Sequence, residues 1–411
     1  MRIKSALLWS AVLAVSGLLF GCEQKDSSVG SGLAPGLNDI FLQEALIDPI
    51  GSNYYQAQVP VGSNPYLYLG AEQGYNADAL LKFNPYGSLP DSFTVDSLVV
   101  KLYLDSVSTT GSDPLDVSVY FVNRTQEWTE SEVFWDTLDS LQLGNAVASF
   151  SITAAPTDTD SVSFALPAPD SLLRAWEWIG SGDKTLHYNN GLYLLSQKSM
   201  SFMARFFSSE YSSFTRRPKL EMYVTVVDTS DTTGAAPVDT MLFTYATQDA
   251  FIAQDQSVLD ESYLYLGNSI AFWSLLWFPL ADSFPTFGIG VHRAEVVLHA
   301  DTSSVFNVGE ITKAYAVAMQ DTSWLQNPKT APLASGMFSS PSGYYDSNAA
   351  TLTLNLTQMV TDWIAKPETN NGFLIISVNE YSNLTRTVFF GVSAADSLRP
   401  RLRIIYLEGE P

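Results

Sequence analysis

The sequence predicts an all-β protein with two tandem jelly-roll or β-sandwich domains, each carrying one short amphipathic helix. Apolar residues alternate with period two: every second residue from 98 to 104 is Leu or Val. Such runs are short and are separated by clusters of Gly, Pro, Asn and Asp, and one order of motifs occurs twice along the chain. Alternation places one face of each strand in a core and the other outward.

The N-terminus has the layout of a signal peptide. Arg2 and Lys4 precede an apolar run at residues 6–20, which is shorter than the roughly 20 residues that a membrane span needs. The run ends in Leu19-Phe20-Gly21-Cys22, which resembles the lipobox of bacterial lipoproteins. Residues 1–21 are therefore predicted to be removed and Cys22 to carry the lipid. Because Cys22 is the only cysteine, the rest of the chain has no disulfide and no cysteine metal site.

Composition bounds the folded part of the chain. Apolar residues make up 46% of the 411 residues, which is typical of a globular protein with a buried core. The length suggests two domains. A net charge of −22 disfavours binding to nucleic acid. The polar, Gly/Ser-rich residues 22–39 are predicted to be a flexible tether. Residues 228–239 lack large apolar side chains and are predicted to link domain 1, residues 40–227, to domain 2, residues 240–411.

The two halves repeat each other. Motifs recur in the same order in both, which indicates one architecture used twice. The matched pairs are residues 64–70 with 261–267, 79–83 with 274–278, Trp128 with Trp324, 189–192 with 370–373, and 217–220 with 399–402.

One helix is predicted in each half. Residues 356–364 place apolar side chains at helical spacing just before Lys366-Pro367, and residues 172–179 do so after Asp170-Ser171. Trp176 and Trp363 on these helices are predicted to be core residues.

These motifs together resemble the DNRLRE-type domain family. Residues 79–83 and 95–104 are similar to its opening strands, and Trp128-Thr129-Glu130-Ser131 with residues 133–135 is similar to its central segment. The resemblance covers most of residues 40–408 in two copies, although the second copy keeps only Trp324 of the central segment. It implies a β jelly roll of the carbohydrate-binding-module kind without catalytic residues. Residues 29–36 also look like the head of an uncharacterised family of Bacteroidetes-type lipoproteins, which implies much the same fold.

A search for catalytic motifs finds little. No nucleophile elbow, zinc-protease helix, Walker loop or dinucleotide fingerprint is present. His292, Glu295 and His299 resemble a metal spacing, but on a strand His292 points away from the other two. A glycosidase pair from distant strands stays open, with none of the 43 acidic residues singled out. No cofactor is predicted. Structural calcium is left open, with residues 136–139 and 157–160 as acidic loops.

Sugar binding needs aromatic faces beside polar groups. Trp277 is the first candidate, because it replaces Lys82 of the first copy at an outward position, and Tyr103 is a weaker one. The alternative for both is packing against a loop or the other domain. Trp128 and Trp135 are predicted to be structural, as parts of the shared framework.

The sequence thus predicts a lipoprotein held outside the cytoplasm by Cys22, in the outer membrane or on the cell surface of a Gram-negative bacterium. Its expected role is non-catalytic polysaccharide binding or a structural function in the envelope. A polysaccharide-degrading enzyme is the alternative if acidic residues cluster in a cleft. A scaffold for other envelope proteins is the third possibility, with an apolar patch around Trp277.

Overall fold

A computed structural model gives the fold of most of the chain beyond residue 41. The structure describes residues 42–84, 93–123, 127–135, 143–153, 161–169, 172, 189–197, 201–226, 237–280, 289–304, 307, 311–330, 332–333 and 342–408. The predicted signal peptide, Cys22 and the tether lie outside these residues. So do residues 228–236 of the predicted linker and most of the first predicted helix.

The described residues of the first sequence half form eleven strands. They are β1 (Leu42–Ile47), β2 (Gly51–Gln58), β3 (Tyr66–Glu72), β4 (Tyr75–Phe83), β5 (Phe93–Thr109), β6 (Leu115–Phe121), β7 (Ala148–Ile152), β8 (Ser161–Leu166), β9 (Leu192–Ser196), β10 (Phe202–Phe207) and β11 (Lys219–Val226).

Ten further strands and one α-helix follow in the described residues of the second half. They are β12 (Val238–Asp255), β13 (Tyr263–Asn268), β14 (Ile270–Trp277), β15 (Ile289–His299), β16 (Lys313–Ala318), β17 (Gly343–Asp346), β18 (Thr351–Asn355), α1 (Thr357–Ala365), β19 (Phe373–Ser377), β20 (Thr385–Phe390) and β21 (Arg401–Glu408).

The all-β prediction is confirmed. In β5, Leu98, Val100 and Leu102 are buried while the residues between them are partly exposed, as period two requires. The helix predicted at residues 356–364 is present as α1, and Val360 and Trp363 on it are buried.

The strands form two large antiparallel sheets and one short pair. The ten-stranded sheet has the order β12-β11-β5-β10-β3-β4-β9-β6-β7, and β8 also pairs with β5. The nine-stranded sheet has the order β1-β21-β15-β18-β17-β16-β19-β14-β2, and β13 pairs with β20. Because β12 pairs with both β11 and β4, it closes the series β11-β5-β10-β3-β4 into a ring, and β9, β6 and β7 continue outward from β4.

The two halves exchange their first strands. β12 begins the second sequence copy, yet it pairs with β11 and β4 of the first copy. Reciprocally, β1 and β2 begin the first copy and pair with β21 and β14 of the second. We call β3–β11 with β12 the first body, and β13–β21 with β1 and β2 the second body.

The predicted boundaries 40–227 and 240–411 therefore follow the sequence repeat and not the sheets. Val238 and Asp239, predicted to be linker, lie in β12 opposite Val226 and Thr225. Val238 is exposed, since backbone pairing at this edge needs no buried side chain.

In each body a tryptophan covers the outer side of the central strands. Trp128 packs against Leu80, Tyr193 and Ile252, and its Nε1 donates to the Asn190 carbonyl oxygen at 2.8 Å. In the second body Trp324 packs in a cluster with Leu275 and Leu374, and its Nε1 donates to the Asn371 carbonyl oxygen at 2.8 Å. The central strands are therefore buried on both faces, which explains why β4 reads as nearly continuous buried residues.

The repeated Asn-Asn-Gly motif forms the turn that receives each tryptophan. Asn190 Nδ2 donates to the carbonyl oxygen of Asn123, and Asn371 Nδ2 donates to that of Gln320, both at 2.7 Å. The following Gly191 has a φ of +84°, and a Cβ there would lie 2.2 Å from a backbone oxygen. Only glycine fits this position, because L side chains rarely adopt that φ.

Candidate functional site

The exchanged strands β2 and β12 line a groove of about 550 Å³. Its size lies within the usual range of small-molecule sites. The side chains that define its chemistry are Tyr55, Gln56, Trp135, Gln254, Trp273 and Lys329. Since β2 lies in the second body and β12 in the first, the groove has its present lining because of the strand exchange.

Aromatic rings form one part of the groove. The Tyr55 and Trp273 rings lie 5.3 Å apart between centroids and meet edge to face at 68°. The Trp273 indole Nε1 donates to the Glu380 carboxylate, which is 8% exposed. Burial raises the pKa of Glu380 to about 7, and burial together with the charge of Glu380 raises the pKa of Tyr55 to about 12. The indole is thus held in one orientation with its ring at the groove.

Polar side chains complete the lining. Gln56 and Lys329 are exposed, and Lys329 is the only basic residue among the described residues that line the groove. Asp255 is paired with the fully buried Arg386, whose guanidinium also lies 4.6 Å from the centre of the Tyr75 ring. The groove can therefore offer aromatic faces, amide groups and one ammonium group to a ligand.

A cluster of three carboxylates lies in the first body. Oxygens of Glu130, Glu210 and Asp249 are all within 4.8 Å of one another. Glu130 is in the loop that carries Trp128, Glu210 follows β10, and Asp249 is on the exchanged strand β12. None of the three is among the described residues that line the groove.

Burial and mutual repulsion set the protonation of the cluster. Asp249 is fully buried, and burial followed by the charge of Glu210 raises its pKa well above the ordinary value. Burial also raises the pKa of Glu130 to about 7, against the hydrogen bond that its Oε1 accepts from the Asp249 backbone N–H at 2.7 Å. These are the conditions under which a carboxyl group either keeps its proton or binds a cation.

The residues predicted to bind sugar lie apart from each other. Trp277, in the second body, is half-buried, and its Nε1 donates to the Asn370 carbonyl oxygen at 3.1 Å. Tyr103, in the first body, is half-buried, with the Lys101 and Lys219 Nζ atoms 5.6 and 5.8 Å from its ring centroid. Neither lines the groove, and ligand binding by either stays a prediction.

The remaining sequence candidates divide between the two bodies. Trp135, predicted to be structural, is half-buried at the groove. Glu295 of the His292–His299 segment forms ion pairs with Arg293 at 2.5 Å and Arg403 at 3.1 Å, which occupy its oxygens. The acidic loops at residues 136–139 and 157–160 lie outside the described residues.

Sequence reasoning missed Tyr55 and Trp273. Trp273 and Trp277 share one face of β14, because residues on a strand alternate with period two. Extending the outward assignment of Trp277 along its strand would have found Trp273. Nothing in the sequence near Tyr55 indicates a role at the groove, because the contact between the Tyr55 and Trp273 rings depends on the pairing of β2 with β14 of the second copy.

No protein-family model matches the chain, and no curated protein matches it. The DNRLRE resemblance therefore rests on the sequence motifs alone. Among the described residues, no helix is long and apolar enough to span a membrane.

Proposed function

We propose that this chain is a lipid-anchored envelope protein that binds polysaccharide, without cleaving it, in the groove between β2 and β12. The observation that carries the proposal is the meeting of Tyr55, Trp135 and Trp273 with amide and ammonium side chains. Sugar rings present apolar C–H faces, which pack on aromatic rings, and hydroxyls, which hydrogen-bond to amides.

Charge favours a neutral polysaccharide over a strongly acidic one. The whole chain carries a net charge of −22, which repels polyanions over a distance set by salt. Lys329 alone among the described lining residues opposes this. We therefore expect neutral glycans to bind more tightly than acidic ones at low salt.

The proposed location rests on the sequence. The lipobox-like segment ending in Cys22 supports lipid attachment, and the signal-peptide layout supports export. We propose the outer membrane or the cell surface of a Gram-negative bacterium as its place.

A polysaccharide-degrading enzyme is the second candidate, because the carboxylate cluster supplies acids with raised pKa values. Its geometry argues against it. Glycosidase carboxyl groups stand about 5 to 10 Å apart on either side of a bound sugar. Here the oxygens are within 4.8 Å, one acid is fully buried, and the described groove is lined by other residues.

The test uses the predicted mature chain, residues 22–411, with Cys22→Ser in place of the lipid. Its binding to arrays of neutral and acidic polysaccharides is measured while released reducing ends are assayed. Trp273→Ala and Trp135→Ala are each expected to weaken binding about tenfold, the loss of ~1.4 kcal/mol for one aromatic face. Trp277→Ala tests the site predicted from the sequence outside the described groove lining: weaker binding in this variant alone would place the ligand at Trp277 and not in the groove.

Each outcome decides between the candidates. Unchanged affinity in both groove variants, with unchanged melting temperatures, would exclude the groove as the site. Release of reducing ends would replace the binding module by the enzyme. The absence of any binding would favour the scaffold, whose partner is another envelope protein.

A further inference from the structure

We infer that Glu130, Glu210 and Asp249 form a binding site for a calcium ion in the first body. The inference does not depend on polysaccharide binding, because the three residues lie outside the described lining of the groove.

The three carboxylates come from separate elements and converge. Their oxygens lie within 4.8 Å of one another, although the residues are far apart in the sequence. Among the described residues, none of the three forms an ion pair with Lys, Arg or His. When all three are ionised, carboxylates at this spacing repel one another strongly where water is excluded, and a cation would supply the missing counter-charge.

An unsatisfied oxygen points independently to a ligand. Asp249 is fully buried, and its Oδ2 accepts a hydrogen bond from the Ser209 backbone N–H at 2.7 Å. Its Oδ1 is buried and accepts no hydrogen bond in the structure. Leaving such an oxygen unpaired is costly, and a metal ion would satisfy it.

The donor set selects the kind of ion. All three donors are carboxylate oxygens, which hard cations prefer and soft transition metals do not. Glu210 is exposed, so water can complete the six to eight ligands that calcium takes. Magnesium requires a tighter octahedral arrangement and releases its water reluctantly, so it fits this open, irregular set less well.

The second body shows that the fold does not need these charges. Strand pairing identifies the residue of the second body that corresponds to Asp249. Asp249 lies opposite Leu81 on β4, and Ser52 lies opposite Leu276, which is equivalent to Leu81 in the repeat. Glu130 is two residues after Trp128, and Gln326 is two residues after Trp324.

The third counterpart is found in the same way. Glu210 is three residues after Phe207, which pairs with Tyr66, and Ser393 is three residues after Phe390, which pairs with Tyr263. All three acids of the first body are thus replaced by Gln or Ser in the second. Since both bodies hold equivalent strands, the fold itself is compatible with uncharged residues at all three positions.

The experiment measures calcium binding to the Cys22→Ser mature chain, first stripped with a chelator, by calorimetry and by thermal melting. We expect one calcium ion per chain and a melting temperature that rises with calcium. Magnesium at the same concentration is expected to give less than half of that rise.

Matched substitutions locate the site. Glu210→Gln is on the surface, so folding should survive it, and it is expected to weaken calcium binding at least tenfold. Glu130→Gln and Asp249→Ser should abolish the calcium-dependent rise. Glu132→Gln removes one charge from the same loop outside the cluster and should leave binding unchanged.

Three results would overturn the inference. One is the absence of saturable calcium binding at millimolar concentration in the unsubstituted chain. Another is binding that survives Glu210→Gln and Glu130→Gln unchanged. The third is an equal response to magnesium, which would remove the assignment to calcium.

Discussion

The first and second bodies share a framework and differ in a few polar positions. Trp128 and Trp324 donate to the same kind of Asn-Asn-Gly turn at the same distance of 2.8 Å. Glu130, Glu210 and Asp249 of the first body are replaced in the second body by Gln326, Ser393 and Ser52, respectively. The two bodies therefore share the buried tryptophans and the turns that bind them. They differ in charge at single positions, where the same fold accepts either acidic or neutral side chains.

A buried ion pair shows the reverse asymmetry. Arg386 on β20 lies opposite Gly267 and reaches Asp255 of β12 in the other body. Its counterpart on β10 is Met203, which lies opposite Gly70. The Arg386 guanidinium also donates to the Gln73 carbonyl oxygen at 3.1 Å. The second body thus contacts the first through the Arg386–Asp255 ion pair, whereas the equivalent residue of the first body, Met203, is uncharged.

The outer faces differ as well. In the second body, Arg403 bridges Glu44 of the exchanged strand β1 and Glu295 of β15. In the first body, Tyr223 and Phe243 occupy the outer face of β11 and β12 and are more than two-fifths exposed. The outer face of the second body thus carries ion pairs across three strands, whereas that of the first carries exposed aromatic rings beside the Lys219–Glu221 ion pair.

The largest expected effect tests the exchange itself. The contiguous repeat, residues 40–227, lacks β12 and is expected not to unfold cooperatively as a monomer. Residues 59–262, which hold β3–β12, are expected to do so. Losing β12 removes buried Phe251 and Ile252, each contributing ~1.5–3 kcal/mol, and leaves β4 and β11 each without one of their paired strands. Circular dichroism melts and light scattering after size exclusion measure both fragments.

A cooperative, monomeric melt of residues 40–227 would show that the exchange is dispensable. In that case the domain boundaries predicted from the sequence would describe independent units.

The second effect concerns the buried ion pair. Arg386→Met copies the first body and leaves Asp255 buried without its partner, so it should lower the free energy of unfolding by ~3–5 kcal/mol in urea denaturation. Adding Asp255→Gln removes the stranded charge and should recover most of the loss. Equal losses in the single and double variants would mean that packing, and not charge, explains the effect.

The smallest effect concerns Trp277. Trp277→Lys copies Lys82 of the first body and removes one hydrogen bond to the Asn370 carbonyl oxygen, so thermal unfolding should report a loss of ~1 kcal/mol. Lys82→Trp is the reciprocal control and should change stability little. A loss as large as that of Arg386→Met would make Trp277 a core residue of the second body.

The sequence predicted much of the fold because its signals are local. Alternation in β5 and the helical spacing in α1 follow from neighbouring residues alone. The predicted core role of Trp363 is confirmed by its burial. The groove was not predicted, since Tyr55 and Trp273 meet only through strands from different copies.

By itself, the sequence determined the all-β class, the repeat and the position of α1, because hydrophobic periodicity is a local property. Only the tertiary structure decided that β1 and β2 of the first copy pair with strands of the second, and that β12 of the second copy pairs with strands of the first. The motif order is compatible with pairing inside a copy or between copies. That choice placed Asp249 near Glu130 and Glu210 and brought residues of β2 and β12 to one groove, so both candidate sites depend on contacts between residues that are distant along the chain.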